Sequence, residues 1–221
     1  LVSQRVCFAS CSFCAITNHQ GRIIQNRSHD SLIDEAQTMI GMDTFKGYIH
    51  DVGGPTANFR HLACDKQAKF GACRGRTCVA SVPCENLNTS HDDYLSLLRK
   101  LRKLKGVKKV FIRSGLRYDY VLADKNKEFV KELCEHHVSG QLKVAPEHVS
   151  KRVTTMMGKA GKEEFLAFKS WFEEANEKLG KKQYLVPYFM SSHPGCTLED
   201  AIELAEFLRY QHMYPEQVQD F

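Results

Sequence analysis

Apolar residues return along this chain in two alternating rhythms. Leu32, Ile33, Ala36, Met39 and Ile40 keep a 3.6-residue period and predict a helix, with Ser31-x-x-Asp34 as a capping box at its start. The β-type run Tyr48 to Val52 follows and stops at Gly53-Gly54-Pro55. Helical spacing resumes at Tyr94, Leu97, Leu98, Leu101 and Leu104, between a second box, Ser90-x-x-Asp93, and Gly106, which suits a C-cap. Residues 107–115 read as a strand. A helix is expected from Asp124 through Phe129, Val130, Leu133 and Cys134 to Gly140. The stretch 141–147 reads as a strand, and a helix bearing Phe165, Leu166, Phe168, Phe172 and Leu179 ends at Gly180. A strand over 183–190, a helix capped by Thr197-x-x-Asp200 and the start of a strand over 216–221 complete the pattern.

Strands and helices in alternation, joined by short turns, predict a parallel sheet with helices outside it. The fold class expected is α/β, a partial (βα) barrel of about six parallel βα units. The rhythm breaks at 59–88, which is polar, cysteine-rich and without period, and is expected to be an inserted loop. In such folds chemistry collects on the loops after the strands. Gly53-Gly54-Pro55, Ser114 to Asp119, Pro146 to His148 and Ser191 to Gly195 all fall there. The 221 residues suffice for one core domain, 1–221, with the insertion inside it. The chain begins at Leu1, meets its densest motif at once and stops as a strand begins, so it is expected to be a piece of a longer protein.

Apolar residues are 43% and charged residues 26%, the balance of a soluble globular domain. No run approaches the ~20 apolar residues of a membrane span, and the first residues lack the features of a signal peptide. A cytoplasmic location and no membrane partner are therefore expected. Nine cysteines without a signal peptide argue for metal or redox use in a reducing compartment. The net charge of +5 permits an anionic partner without requiring one. Arg99, Lys100, Arg102, Lys103, Lys105, Lys108 and Lys109 crowd one helix and the strand start after it. Leucines at helical spacing between them predict an outer helix with a solvated basic face. Contact with nucleic acid through that helix has no aromatic interleaving to support it.

Cys7, Cys11 and Cys14 are spaced C-x3-C-x2-C. Thiolates are soft ligands for zinc and iron–sulfur clusters. Three of them can hold three irons of a 4Fe–4S cube and leave the fourth open to an amine and a carboxylate. S-adenosylmethionine offers both, and an electron from the cluster then cleaves its sulfonium to a 5′-deoxyadenosyl radical that abstracts hydrogen. The bland alternatives are zinc with a distant fourth ligand, or buried structural thiols. Cys64, Cys73, Cys78 and Cys84, spaced C-x8-C-x4-C-x5-C inside the insertion, suggest a second, closed metal site. Zinc and an auxiliary 4Fe–4S cluster fit it equally, and either would order a loop with few core residues. Cys134 reads as packing, and Cys196 as a turn thiol that matters only beside the site.

The stretches CSFCAITNHQGRIIQNRS (11–28), DVGGPTANFRHLAC (51–64), SGLRYD (114–119), KVAPEH (143–148), KKQYLVPYF (181–189) and HPG (193–195) carry a resemblance. The chain resembles the radical S-adenosylmethionine superfamily, and within it the YgiQ family, whose members hold a radical domain inside a much longer chain. The resemblance runs over nearly all of the sequence. It implies the cluster on Cys7, Cys11 and Cys14, with Phe13 beside the adenine. It implies that Gly53 and Gly54 offer backbone groups to the methionyl amine, although Pro55 stands where the superfamily usually has an acid. Ser114 and Arg117 would meet the ribose or carboxylate. Lys143, Glu147 and His148 are candidates for holding cofactor or substrate or for moving a proton, and His193 is a weaker one. A flavodoxin- or ferredoxin-type reductant is implied; the substrate is not.

The stretches 14–28 and 146–165 are also similar to the methylthiotransferase branch. RNA or protein modification is therefore the nearest rival, with a second cluster as sulfur source. Two readings from other classes stay open. One is a metal-stabilised module that binds nucleic acid or protein. The other is an iron–sulfur electron carrier indifferent to S-adenosylmethionine.

Overall fold

The structure, a computed structural model, describes residues 1–80, 82–215 and 218–221. The chain runs β1 (Gln4–Arg5), α1 (Ile16–Gln20), β2 (Gln25–Asn26), α2 (His29–Ile40), β3 (Tyr48–Ile49) and α3 (Asp65–Phe70). Then come α4 (Asp92–Arg102), β4 (Lys109–Val110), α5 (Tyr118–Ala123), α6 (Glu128–Glu132) and a π-helical turn, Leu133–His137. The remainder is β5 (Gln141–Glu147), α7 (Lys151–Met157), α8 (Lys162–Leu179), β6 (Tyr184–Ser191), α9 (Leu198–Tyr210) and β7 (Val218–Asp220).

The fold is α/β with parallel sheets. β3 pairs with β4, and β6 lies between β5 and β7, all in parallel. Single parallel bridges, Val2 with Gly53 and Leu116 with Val144, connect the neighbours that longer ladders do not. Parallel neighbours therefore succeed one another in chain order from the N-terminus to β7, while β2 folds back antiparallel on β1. Among the described residues the sheet does not close on itself. Ile49, Val110, Leu142 and Val144 point to the helical side and are buried with Leu98, Leu101, Phe165, Phe168 and Phe172 in the main core. Alternation along each strand turns the intervening residues to the other face.

Several local expectations change. Helix α2 is capped by Ser28, whose hydroxyl accepts from the Ser31 amide at 3.2 Å, so Ser31 is inside the helix and its box does not form. The Ser90–Asp93 box also fails. Asp93 is drawn away to Arg60 and His29, at 3.0 and 2.9 Å, and Ser90 Oγ accepts from the Asp92 amide instead. Only Thr197 and Asp200 form their box. Helix α4 ends at Arg102, and Gly106 lies in the turn beyond, at φ +99°. The strand expected over 107–115 is regular only at Lys109–Val110, because the Ile112 amide turns to the carbonyl of His137. The helix expected from Asp124 starts at Glu128, since Asp124 is the C-cap of α5 and its carboxylate accepts from His91 and Asn126.

The insertion is anchored. It carries α3, and its Phe59, Ala63 and Val79 are buried with Phe8 and Tyr120 in a second core. Residue 81 of that insertion, and residues 216 and 217 of the expected last strand, lie outside the described residues. The basic helix is partly neutralised. Arg99 pairs with Glu128 and Glu132, and Arg102 with Glu132, at 2.6–2.8 Å.

β1 leads straight into the cysteine loop, and Gly54 holds it in place. A Cβ on Gly54 would stand 2.3 Å from the backbone oxygen of Gln4. No rotamer relieves a clash with backbone. Gly54→Ala is expected to destabilise the fold by about 1–3 kcal/mol, as measured by urea unfolding. A change below 0.5 kcal/mol would show that β1 moves aside freely.

Candidate cofactor site

The loop from Cys7 to Cys14 is pinned at both ends. Phe8 stacks on Phe59 with ring centroids 3.8 Å apart, and Tyr120 closes edge-on at 5.9 Å. The Ser12 amide donates to the Met157 carbonyl of α7 at 3.1 Å. Val6 and Ser10 hold φ of +79° and +57°, a region that non-glycine residues rarely occupy. The strain falls on the two residues flanking the first turn of the loop.

Cys7, Cys11 and Cys14 line one cleft of about 160 Å³, together with Phe13, Thr56, Arg117, Glu147 and Lys159. All three are free thiols. Burial pushes the Cys7 thiol up from its ordinary value; the Thr56 hydroxyl, 3.5 Å away, and the charge of Arg117 pull it back.

Arg117 is a buried cation of the cleft, at 5% exposure. It donates through Nε to Asp119 at 2.6 Å, through Nη1 to Cys11 Sγ at 3.2 Å, and through Nη2 to the Gly158 carbonyl at 3.3 Å. Burial alone would lower its pKa, but Asp119 and Cys11 outweigh that and raise it, so it keeps its charge. Asn58 clamps its backbone, accepting from the Arg117 amide at 2.9 Å and donating to its carbonyl at 3.2 Å. The same Asn58 amide nitrogen donates to His91 Nε2 at 3.0 Å, so His91 carries its proton on Nδ1 and gives it to Asp124 at 2.7 Å. Burial would raise the Asp124 carboxyl, yet the His91 bond holds it below its usual value.

The opposite wall is Glu147. It ends β5 at φ +66°, beyond a register shift against β6. Its Oε1 lies 3.5 Å from Lys159 Nζ, and the pair is almost wholly buried. Lys159 and Thr56 belong to no sequence motif of their own. The only signal was position, Thr56 directly after Gly-Gly-Pro and Lys159 after the left-handed Gly158 at φ +69°.

The other candidates stand elsewhere. Gly53, Gly54 and Ser114 line a neighbouring cleft of about 690 Å³ that meets the first at Pro55. Ser114 is engaged by Asp51, which accepts from its hydroxyl and, at 2.9 Å, from its amide. Lys143 lies exposed below the cleft, 5.8 Å from the ring centre of Tyr188. His148 turns away to accept from the Ser150 amide at 3.1 Å, with Cys196 Sγ 3.9 Å from its Nε2; burial lowers its pKa. His193 lies behind the loop, 3.2 Å from Ser12 Oγ and edge-on to Phe13.

In the insertion, Cys64, Cys73, Cys78 and Cys84 are free and half-buried. Burial raises the Cys78 thiol, Arg22 lowers it, and Cys64 and Cys84 raise it again, so these three thiols share one electrostatic neighbourhood. Arg22 also donates to the carbonyls of Cys73 and Arg76 at 2.6 and 2.7 Å. Among the described residues no three His, Cys, Asp or Glu side chains are gathered as a single metal ion requires, in either cysteine set. Cys134 is buried in the main core, its thiol pushed up to about 12 by burial, as packing demands.

Among the described residues no helix is long and apolar enough to cross a membrane. No family model matches the chain. Curated relatives do. A UPF0313 protein of Clostridium botulinum is 59% identical over 221 residues, which is all of this chain and 34% of the relative. One of Clostridium perfringens is 60% identical over 221 residues, 33% of its length. Along its whole length, then, the chain is similar to UPF0313 proteins, and it spans about a third of the length of the relatives it matches.

Proposed function

We propose that this chain is the core of a radical S-adenosylmethionine enzyme, a partial (βα) barrel in which Cys7, Cys11 and Cys14 hold a 4Fe–4S cluster. The observation that carries the reading is the meeting of three free thiols, a buried guanidinium and an aromatic ring on one small cleft. Three free thiols on one loop, with no fourth cysteine among the described residues lining the cleft, match a cluster that leaves one iron open better than the four ligands of structural zinc. When bound, the cluster and S-adenosylmethionine supply reductive cleavage of the sulfonium and, from it, hydrogen abstraction.

The chain's own residues do the rest. Arg117 donates to Cys11 Sγ and would hold that ligand in its orientation. Phe13 and the apolar wall exclude water. Glu147 Oε1, held by Lys159, is the group placed to hold or move a proton at the cleft. A small redox protein of flavodoxin or ferredoxin type supplies the electron. The four thiols of the insertion form a second metal site, zinc or an auxiliary cluster.

The test is spectroscopic. The protein is reconstituted anaerobically with iron and sulfide, reduced, and its EPR spectrum recorded with and without S-adenosylmethionine. A 4Fe–4S signal that shifts with the cofactor, and that the Cys7→Ala/Cys11→Ala/Cys14→Ala protein loses, is expected. A cluster signal blind to the cofactor would make the protein an electron carrier instead, and folded protein that takes up no cluster would end the reading.

A further inference from the structure

The sheet face that bears the cysteine cleft continues below it. Ile49, Val110, Ile112, Leu142 and Val144 are buried against the helices. Tyr48, His50, Lys109, Phe111, Arg113 and Lys143 therefore stand on the opposite face, the one that carries Ala145 and Glu147 into the cleft. All six are exposed except Phe111, which is half-buried. The rings form a ladder. Phe111 and Tyr48 stack at 6.4 Å with 9° between planes, and Tyr48 and His50 at 6.2 Å with 24°. Lys108 Nζ lies 5.9 Å from the centre of the Tyr48 ring.

Lys109, Arg113 and Lys143 form no ion pair among the described residues, although other surface cations do. Of the carboxylates at its upper edge, Glu147 pairs with Lys159, and Asp51 accepts from the Ser114 hydroxyl and the Arg113 amide. The face thus offers three cations without an ion pair among the described residues, set beside aromatic rings. Cations on an exposed sheet attract phosphate, and exposed ring faces stack bases. An acidic peptide would use the first feature and leave the second idle. Strands rise about 3.3 Å per residue, so Arg113 and Lys143 lie within roughly 7 Å of Gly115 and Ala145 at the cleft wall. A phosphate held there leaves its sugar or base within reach of the cleft.

We propose that this face binds the phosphate and base of a nucleotide, free or within a single strand, and that this nucleotide is the substrate of the cleft. Its being the substrate rests on the reading of the cleft given above; binding to the face does not. The test accordingly uses protein without iron or S-adenosylmethionine. Fluorescein-labelled single-stranded RNA is titrated with the protein at several salt concentrations, and its anisotropy is followed, with AMP and UMP as competitors.

Lys109→Ala/Arg113→Ala/Lys143→Ala is expected to weaken binding at least about tenfold and to reduce the slope of log affinity against log salt by roughly 2. Tyr48→Leu is expected to weaken it about tenfold with the slope unchanged. Lys100→Ala/Lys103→Ala/Lys105→Ala, on and beyond α4, leaves both as they are. Displacement by AMP or UMP assigns the face to free nucleotides; displacement by unlabelled strand alone assigns it to nucleic acid. All the substituted side chains are exposed, and circular dichroism checks that each variant folds. The proposal falls if the sheet-face variant binds as the parent does, if the loss follows the α4 variant, or if the labelled strand does not bind.

Discussion

Arg117→Met is expected to destabilise the protein by about 3–5 kcal/mol, the cost of stripping one partner from a buried ion pair. Arg117 and Asp119 are each about 5% exposed in their side chains, and Nε donates to the carboxylate at 2.6 Å. The second carboxylate oxygen of Asp119 already has no hydrogen-bond partner among the described residues, so no other group is ready to take up its charge. Methionine fills much of the volume but leaves that charge in an apolar wall. Urea unfolding at neutral pH reads the loss directly. Arg117→Met/Asp119→Leu separates charge from packing: removing both charges is expected to recover most of the stability. A single variant within 1 kcal/mol of the parent would mean that water reaches Asp119 and that Arg117 is held mainly by Asn58. The single variant also loses the contact with Cys11. Cluster retention should therefore be measured on the double variant, where the fold is expected to be sound.

What the sequence made legible follows the range of the forces involved. Strand β5 was readable end to end because Leu142 and Val144 alternate with Lys143 and Ala145, and the structure buries the first pair and turns out the second. The end of α8 was readable from Gly180, which adopts φ +63° there. Capping boxes were legible only where nothing competes. Thr197 and Asp200 find each other, whereas Asp93 is captured by Arg60, which is 33 residues away in the chain.

The site divides in the same way. The three cysteines lie within eight residues of one another, and their convergence on one cleft was readable from spacing. Ser114 faces the neighbouring cleft, its orientation set by Asp51, 63 residues earlier, which no local pattern announces. Thr56 and Lys159 arrive at the cleft by tertiary packing alone. The face of cations and rings beneath it was hidden for a related reason. Its members lie on or just after β3 and β4 and on β5, and only the pairing of these segments sets them side by side.

Acid is expected to remove about 3 kcal/mol of stability through His137 alone. This imidazole is fully buried where the π turn meets β4. Its Nδ1–H donates to the Val110 carbonyl at 2.8 Å, and its own carbonyl accepts from the Ile112 amide at 3.0 Å. Burial is the main cause that lowers its pKa, Arg102 adds to it, and the Val110 bond works the other way; the net is a value pushed down to about 4 from 6.5. Between those values the unfolded chain takes up a proton that the folded chain refuses. Stability is therefore full above the unfolded value, falls as pH drops through the window, and levels off below the folded value, a loss of about 3 kcal/mol. His136 and His148 are also lowered by burial and lose stability in the same direction, so the parent alone cannot isolate His137. His137→Asn keeps a donor for Val110 and removes the titration. The difference between the two unfolding free energies, followed from neutral pH down to about 4, should narrow by about 3 kcal/mol. A constant difference would show that the His137 ring is reached by water and charges within the fold. A narrowing confirms a dry joint between β4 and the π turn, beneath the face proposed to hold the nucleotide.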